Sequence, residues 1–222
     1  MGAVVARIIA VMNDHQKIDV GRTTLVGFSL GAHVVGFAGG RTPGLRRIIA
    51  MDPAGPLFAN CGSGVHLNST NAEFVQAIHC NGASLYNGGL GTMEPMAHVD
   101  FYANGGQIQP GCPPGIYINT PNVSVIANSV ACSHDRCPWL LTTSIIQAGS
   151  PTCQYQAFPC NDTEDWLVGK CFSCDKNDGC PNPGYSEDLG SSIKGSFMFG
   201  TRGENDTSTF FCGNLFKKHI FT

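Results

Sequence analysis

A serine with a glycine two residues away on each side, Gly27-Phe-Ser29-Leu-Gly31, stands between an apolar run and a helix-forming run. No other stretch of the chain limits its fold as strongly. The run before it, Thr23-Thr-Leu-Val-Gly27, reads as a short buried strand. The run after it, residues 29–38, reads as a helix that Gly39-Gly40 ends. A strand that turns at once into a helix holds the serine hydroxyl exposed at the turn. Glycines at the two flanking positions let neighbouring backbone pass close to that strained corner. Ser29 is therefore the candidate nucleophile.

The rest of the first 110 residues continues the alternation. Val4, Val5, Ile8, Ile9 and Met12 have helical spacing, which predicts an amphipathic helix over 2–13. Residues 46–51, 74–79 and 99–102 read as further strands. Strands separated by helical stretches predict an α/β fold with a mostly parallel sheet and right-handed crossovers. From Cys112 onward the chain turns to cysteine-bounded loops, with one helical stretch at 134–147. The tail segments 196–199 and 210–211 are β-like but find no place in the sheet from sequence alone. Neither a repeat nor a linker divides residues 1–222, which read as one domain.

Composition narrows the function classes. Apolar residues at 42% exclude a disordered or fibrous chain, while charged residues at 13% are about half the usual ~25%. A net charge of −3 leaves no basic patch for nucleic acid. Eleven cysteines point to an oxidising compartment, and their odd number leaves at least one without an intrachain partner. Sequons at Asn68, Asn122, Asn161 and Asn205 agree with export. No run approaches the ~20 apolar residues of a membrane span. The first residues do not read as a signal peptide, because Arg7 breaks the apolar run and no cleavage pattern follows. An exported character without an export signal predicts that the chain lacks its beginning.

A serine nucleophile requires a base, and the base an orienting carboxylate. Asp52 directly follows the strand Ile48-Ile-Ala-Met51. One helix and one strand separate it from Ser29, so both should emerge at the carboxyl edge of the sheet, where ligands bind. As a turn former before Pro53, Asp52 has a purely structural alternative. Asp100, within a strand pattern, is the rival acid. Seven histidines compete to be the base. His33 is carried away from Ser29 by one helical turn, and His79 and His98 sit at strand ends where structural roles are the default. His134, in Cys132-Ser-His-Asp-Arg-Cys137, comes last in the order Ser…Asp…His of α/β-hydrolases and opens the helical stretch.

These residues, with their surroundings, resemble the secreted pancreatic-lipase-like α/β-hydrolases, a family of triacylglycerol lipases and phospholipases A1. The matching stretches are GFSLGAHVVGFAG (27–39), IIAMDPAGPLF (48–58), AHVDFYANGG (97–106), QPGC (109–112), ACSH (131–134), FPC (158–160) and KCFSC (170–174). They follow the family's order over nearly the whole chain. The resemblance implies Ser29 as nucleophile, Asp52 as acid, His134 as base and the Leu30 backbone N–H as one oxyanion donor. It also implies further strands and a His-Gly segment, with the second oxyanion donor, upstream of residue 1. The chain would then be the later two-thirds of a catalytic domain without the family's C-terminal β-sandwich.

Several finer expectations rest on the same resemblance. Cys112 and Cys132 bracket the position of the family's lid, here residues 113–131, none of which is charged. Ile116, Tyr117, Ile118, Val123, Val125, Ile126 and Val130 are its candidates to face lipid. A second long loop covers 81–97, and long loops at both places resemble the triacylglycerol lipases. Cys171-x-x-Cys174 with Cys160 and Cys180 admits a zinc reading, but compartment and family favour Cys160–Cys171 and Cys174–Cys180 bridges. Pairing of Cys61, Cys80, Cys137, Cys153 and Cys212 cannot be deduced from sequence. Some family members bind calcium at the stretch matching 63–71, which here lacks a carboxylate, so no metal and no cofactor is expected. The implied function is a secreted serine ester hydrolase acting on neutral lipid at an interface. The alternatives are phospholipase A1 activity and a non-catalytic lipid-binding or yolk-type homologue.

Overall fold

The structure is a computed structural model of the 222-residue chain. It describes residues 1–62, 64–113, 123–148, 155–174, 180–185 and 193–201, with backbone alone for 123–130 and 147. Helix α1 (Gly2–Asp14) leads to β1 (Thr24–Phe28), α2 (Leu30–Gly39), β2 (Arg47–Met51), β3 (Phe74–His79) and β4 (Val99–Ala103). Then come α3 (Val123–Gln147), β5 (Phe158–Pro159), α4 (Thr163–Leu167) and β6 (Gly195–Phe199). The strands form one sheet in the order β1-β2-β3-β4-β6-β5, parallel except for the β5–β6 pair. The β-like segment at 196–199 is thus the strand beside β4, whereas 210–211 lies outside the described residues.

Every residue of β2 and of β4 is buried, as expected of parallel strands covered on both faces. On one face Ile49, Ile78, Phe101 and Phe199 pack with Leu140 and Leu141 of α3. On the other, Ile48, Ala50, Val75 and Ala77 pack with Ala32 and Val35 of α2. Each large side chain taken fully out of water contributes about 1.5–3 kcal/mol, so these two layers hold the helices against the sheet. The sheet is thereby sandwiched between the helix that follows Ser29 and the helix that carries His134.

Two sequence expectations change. The buried stripe of α1 is Gly2, Ala6 and Ile9, while Val4, Ile8 and Met12 are exposed. Close approach decides this: a Cβ on Gly2 would lie 2.4 Å from Phe37 Cβ, so the small-residue face meets α2. Helix α3 begins at Val123, well before 134, so His134 lies inside the helix and does not open it. No glycine or proline interrupts 123–133, and the helix simply continues through it. Of the expected lid 113–131, residues 114–122 lie outside the described residues, and the part from Val123 is the start of α3. The side chains of Val123, Val125, Ile126 and Val130 also lie outside the described residues.

Candidate active site

Ser29 occupies the corner between β1 and α2 at φ 56°, ψ −122°, a conformation that costs a non-glycine residue about 1–3 kcal/mol. The surroundings hold it there. Its N–H donates to the Met51 carbonyl at 2.9 Å, and its carbonyl accepts the Ala54 N–H at 3.3 Å. Both bonds tie Ser29 to residues flanking Asp52. The two motif glycines differ in their reasons. A Cβ on Gly27 would meet the Gly31 carbonyl oxygen at 2.4 Å and Val35 Cγ2 at 2.7 Å, whereas one on Gly31 would meet nothing within 4 Å. Leu30 is the first residue of α2, and a first-turn amide has no carbonyl within its own helix to bond.

Asp52 is fully buried at the end of β2, at φ 39°. Its Oδ1 accepts the N–H of Cys80 at 2.7 Å and of Asn81 at 3.0 Å. Its Oδ2 lies 2.5 Å from His134 Nδ1. A carboxylate that accepts three N–H bonds is fixed in orientation. Gly91 makes room for it, since a Cβ there would sit 2.4 Å from Asp52 Oδ1.

His134 is buried, and its ring packs on Phe28, the neighbour of Ser29, at 4.5 Å between centroids. With Nδ1 donating to Asp52, the neutral ring keeps its free lone pair on Nε2. Four contacts hold the surrounding turns of α3. Cys132 is bridged to Cys112 and Cys137 to Cys80. Ser133 Oγ accepts the Gln109 N–H at 3.0 Å, and Arg136 donates to the Pro110 carbonyl at 2.9 Å. Pro138 lies in the same helix and brings no N–H to the carbonyl four residues before it, which is that of His134.

The structure thus brings Ser29, Asp52 and His134 to one edge of the sheet. The rival acid does not join them: Asp100 bonds His79, 2.8 Å from its Nε2, because β4 is one strand further from β2. Both ring nitrogens of His33 are taken, by the Leu67 N–H and the Ala54 carbonyl, and His98 accepts the Val75 N–H. Cys160–Cys171 and Cys174–Cys180 are disulfides, so these sulfurs are not zinc thiolates. Cys61 is free, while Cys153 and Cys212 lie outside the described residues. In the stretch 68–71, Asn68 Oδ1 accepts Thr70 N–H and Asn71 Oδ1 accepts Asn68 N–H, so the carboxamides serve the turn itself. No described group of three or more His, Cys, Asp or Glu is placed to hold a metal. The Cys80 and Asn81 amides and Gly91 escaped sequence reasoning, because a backbone donor leaves no mark on residue type.

Residues 1–202 match the protein-family model described as Lipase. The chain is 38% identical over 197 residues to pancreatic lipase-related protein 3 of Homo sapiens, covering 85% of this chain and 40% of that protein. It is 36% identical over 191 residues to human hepatic triacylglycerol lipase, covering 83% and 38%. It is also 35% identical over 193 residues to the inactive pancreatic lipase-related protein 1 of Canis lupus familiaris, covering 85% and 40%. The chain therefore spans about 40% of the length of these relatives. Matched over most of its length, and with the parallel sheet and strand–serine–helix corner described above, the chain belongs to the lipase family of α/β-hydrolases.

Proposed function

We propose that the chain carries the reactive centre of a serine ester hydrolase that releases fatty acids from neutral lipid. The observation that carries this reading is the Asp52–His134 hydrogen bond, 2.5 Å long and buried beside the Ser29 corner. Ser29 Oγ attacks the ester carbonyl while His134 Nε2 takes its proton. The oxyanion that forms is met by the Leu30 N–H. Asp52 holds the ring in the Nδ1–H tautomer and balances the imidazolium charge. His134 then returns the proton to the leaving alcohol, and water releases the fatty acid from the acyl-enzyme by the same route.

Disulfides flanking His134 support assembly in an oxidising, secretory compartment. We read residues 113–131, closed off by the Cys112–Cys132 bridge, as the segment that meets lipid at the interface. No helix among the described residues is long and apolar enough to cross a membrane. Phospholipase A1 activity uses the same centre on a different head group. A third reading, a lipid-binding homologue without turnover, is kept open by the relative named as inactive.

The deciding experiment labels Ser29 with a fluorophosphonate and measures fatty-acid release from emulsified triacylglycerol and from phosphatidylcholine, with Ser29→Ala as blank. Labelling with faster triacylglycerol cleavage supports the proposal. Faster phospholipid cleavage moves the substrate to the second reading, and a folded protein that is neither labelled nor active belongs to the third.

A further inference from the structure

His79 and Asp100 form a second buried imidazole–carboxylate pair, which the chemistry above does not use. His79 ends β3 with no exposed surface, and Asp100 on β4 is 2% exposed. His79 Nε2 lies 2.8 Å from Asp100 Oδ1, and Nδ1 lies 2.7 Å from the Thr92 carbonyl oxygen. A carbonyl and a carboxylate only accept, so both ring nitrogens carry hydrogen and the ring is an imidazolium. Asp100 is itself held by the N–H groups of Met96 and Ala97, each at 3.1 Å.

The titratable groups facing the ring are Asp100 and Tyr102 on β4 and Asp52 at the end of β2. Burial opposes the charge, but the Asp100 bond and charge, the Asp52 charge and the Thr92 carbonyl together hold the His79 pKa above 6.5. Tyr102, stacked on the ring at 4.5 Å, is pushed up by burial and by Asp100, so it stays neutral and adds no second anion.

What this pair grips matters. Gly91 lies against the Asp52 carboxylate, and its N–H bonds the Asn81 carbonyl at 3.0 Å. The next residue, Thr92, gives its carbonyl to His79, and the segment is fastened again at Met96 and Ala97 by Asp100. His79 also directly precedes Cys80, whose N–H bonds Asp52 and whose sulfur bridges Cys137.

We propose that His79 is a positioning residue: doubly protonated, it ties Thr92 to Asp100, holds the 91–97 segment against Asp52 and sets a buried cation near that anion. The positioning role rests on reading Asp52 as the acid of the reactive centre; the charge on His79 does not.

The test has two arms, both on the full chain. Isotope-labelled histidine NMR, with the His79 signals assigned by their loss in His79→Gln or their shift in Asp100→Asn, is expected to show two ring N–H groups at about pH 8, above the ~6.5 of an ordinary histidine. A ring with one N–H at that pH would overturn the proposal. Asp100→Asn keeps an acceptor but removes the anion, and His79 should then lose one proton at the same pH. Retention of both would equally overturn it.

The second arm follows hydrolysis of a soluble short-chain ester. His79→Gln leaves Asp52 and Asp100 without a buried cation beside them. Its kcat should fall about tenfold to hundredfold with KM unchanged, and the pH profile of kcat/KM should change with the loss of that charge. Where His79→Gln does not fold, Asp100→Asn carries this arm through the same kcat loss at unchanged KM. A folded variant with kcat and pH profile unchanged overturns the positioning role. Absence of both hydrolysis and Ser29 labelling in the wild type overturns the reading of the centre and the positioning role with it, while the NMR arm decides the imidazolium alone.

Discussion

Cys80 and Cys137 are joined by a disulfide that spans the two sides of one hydrogen bond. The Cys80 N–H holds Asp52, and Cys137 lies one helical turn beyond His134. The bridge closes a sequence separation of 57 residues, which the chain-entropy account values at about 4 kcal/mol. Replacing both cysteines by alanine is expected to lower the denaturation midpoint and, by loosening His134, to cut ester hydrolysis and Ser29 labelling together in protein that is still folded. Unchanged hydrolysis and labelling in the folded variant would mean that the bridge supports the fold and has no particular hold on His134.

Gly91→Ala places a methyl 2.4 Å from Asp52 Oδ1. The backbone must retreat or the carboxylate must turn, and either moves the Asp52–His134 bond. A displacement of that kind costs on the order of a hundredfold in turnover. Gly31→Ala, with open space around its Cβ, is the matched control and should stay within a few-fold of wild type. The comparison is read from kcat on one soluble ester, and near-equal values for the two variants would refute the packing argument.

Acid should loosen the scaffold through His33. Its Nδ1 accepts the Leu67 N–H and its Nε2–H donates to the Ala54 carbonyl, so the folded ring is neutral. Burial, set against the Ala54 carbonyl and reinforced by His66, keeps its pKa below 6.5. A depressed folded value means stability that is complete above 6.5 and drains away as pH falls below it, up to ~1.4 kcal/mol per unit of depression. His79, whose pKa is raised, has the opposite sign: its contribution is full below 6.5 and is lost as pH rises through its folded value. Urea unfolding at about pH 7.5 and about pH 5.5 checks the first statement. His33→Gln keeps one donor and one acceptor without titrating, and it should flatten the acid-side decline.

Expression through a secretory host is expected to put a glycan on Asn161 in preference to Asn68. Asn161 is exposed at the bend before α4. The Asn68 carboxamide oxygen instead takes both the N–H and the hydroxyl of Thr70, 2.9 and 2.6 Å away. Mass spectrometry of Asn161→Gln and Asn68→Gln, before and after enzymatic deglycosylation, distinguishes the two sites. Loss of glycan from the Asn68 variant alone reverses the assignment.

The strand–serine–helix corner was legible because its geometry demands particular residues, Gly27 above all. β2 and β4 were legible because a strand covered on both faces is largely apolar, each here carrying one charged residue, Arg47 and Asp100. Legibility failed where the deciding partner is remote or carries no side-chain signature. The face of α1 was misjudged because a close approach at Gly2 outweighs the larger apolar area of Val4 and Ile8. The beginning of α3 was missed because Ser124, Asn128, Ser129 and Ser133 are all cap-type residues, so residues 123–133 offer several competing starts and no breaker to choose between them. Asp100 competed with Asp52 on sequence, and only strand order separates them, since β3 stands between β2 and β4.

The hydrogen bond between Asp52 and His134 joins residues 82 apart in the chain. Ser29 and Asp52 are made before His134 and sit on neighbouring strands, whereas the imidazole must be delivered by long-range closure, a slow class of folding event. A nascent or half-folded chain therefore displays a serine and an acid with nothing to accept the serine's proton. On the proposed reading, reactivity becomes a signal of completed folding, and a cell making this protein is shielded from it until α3 docks.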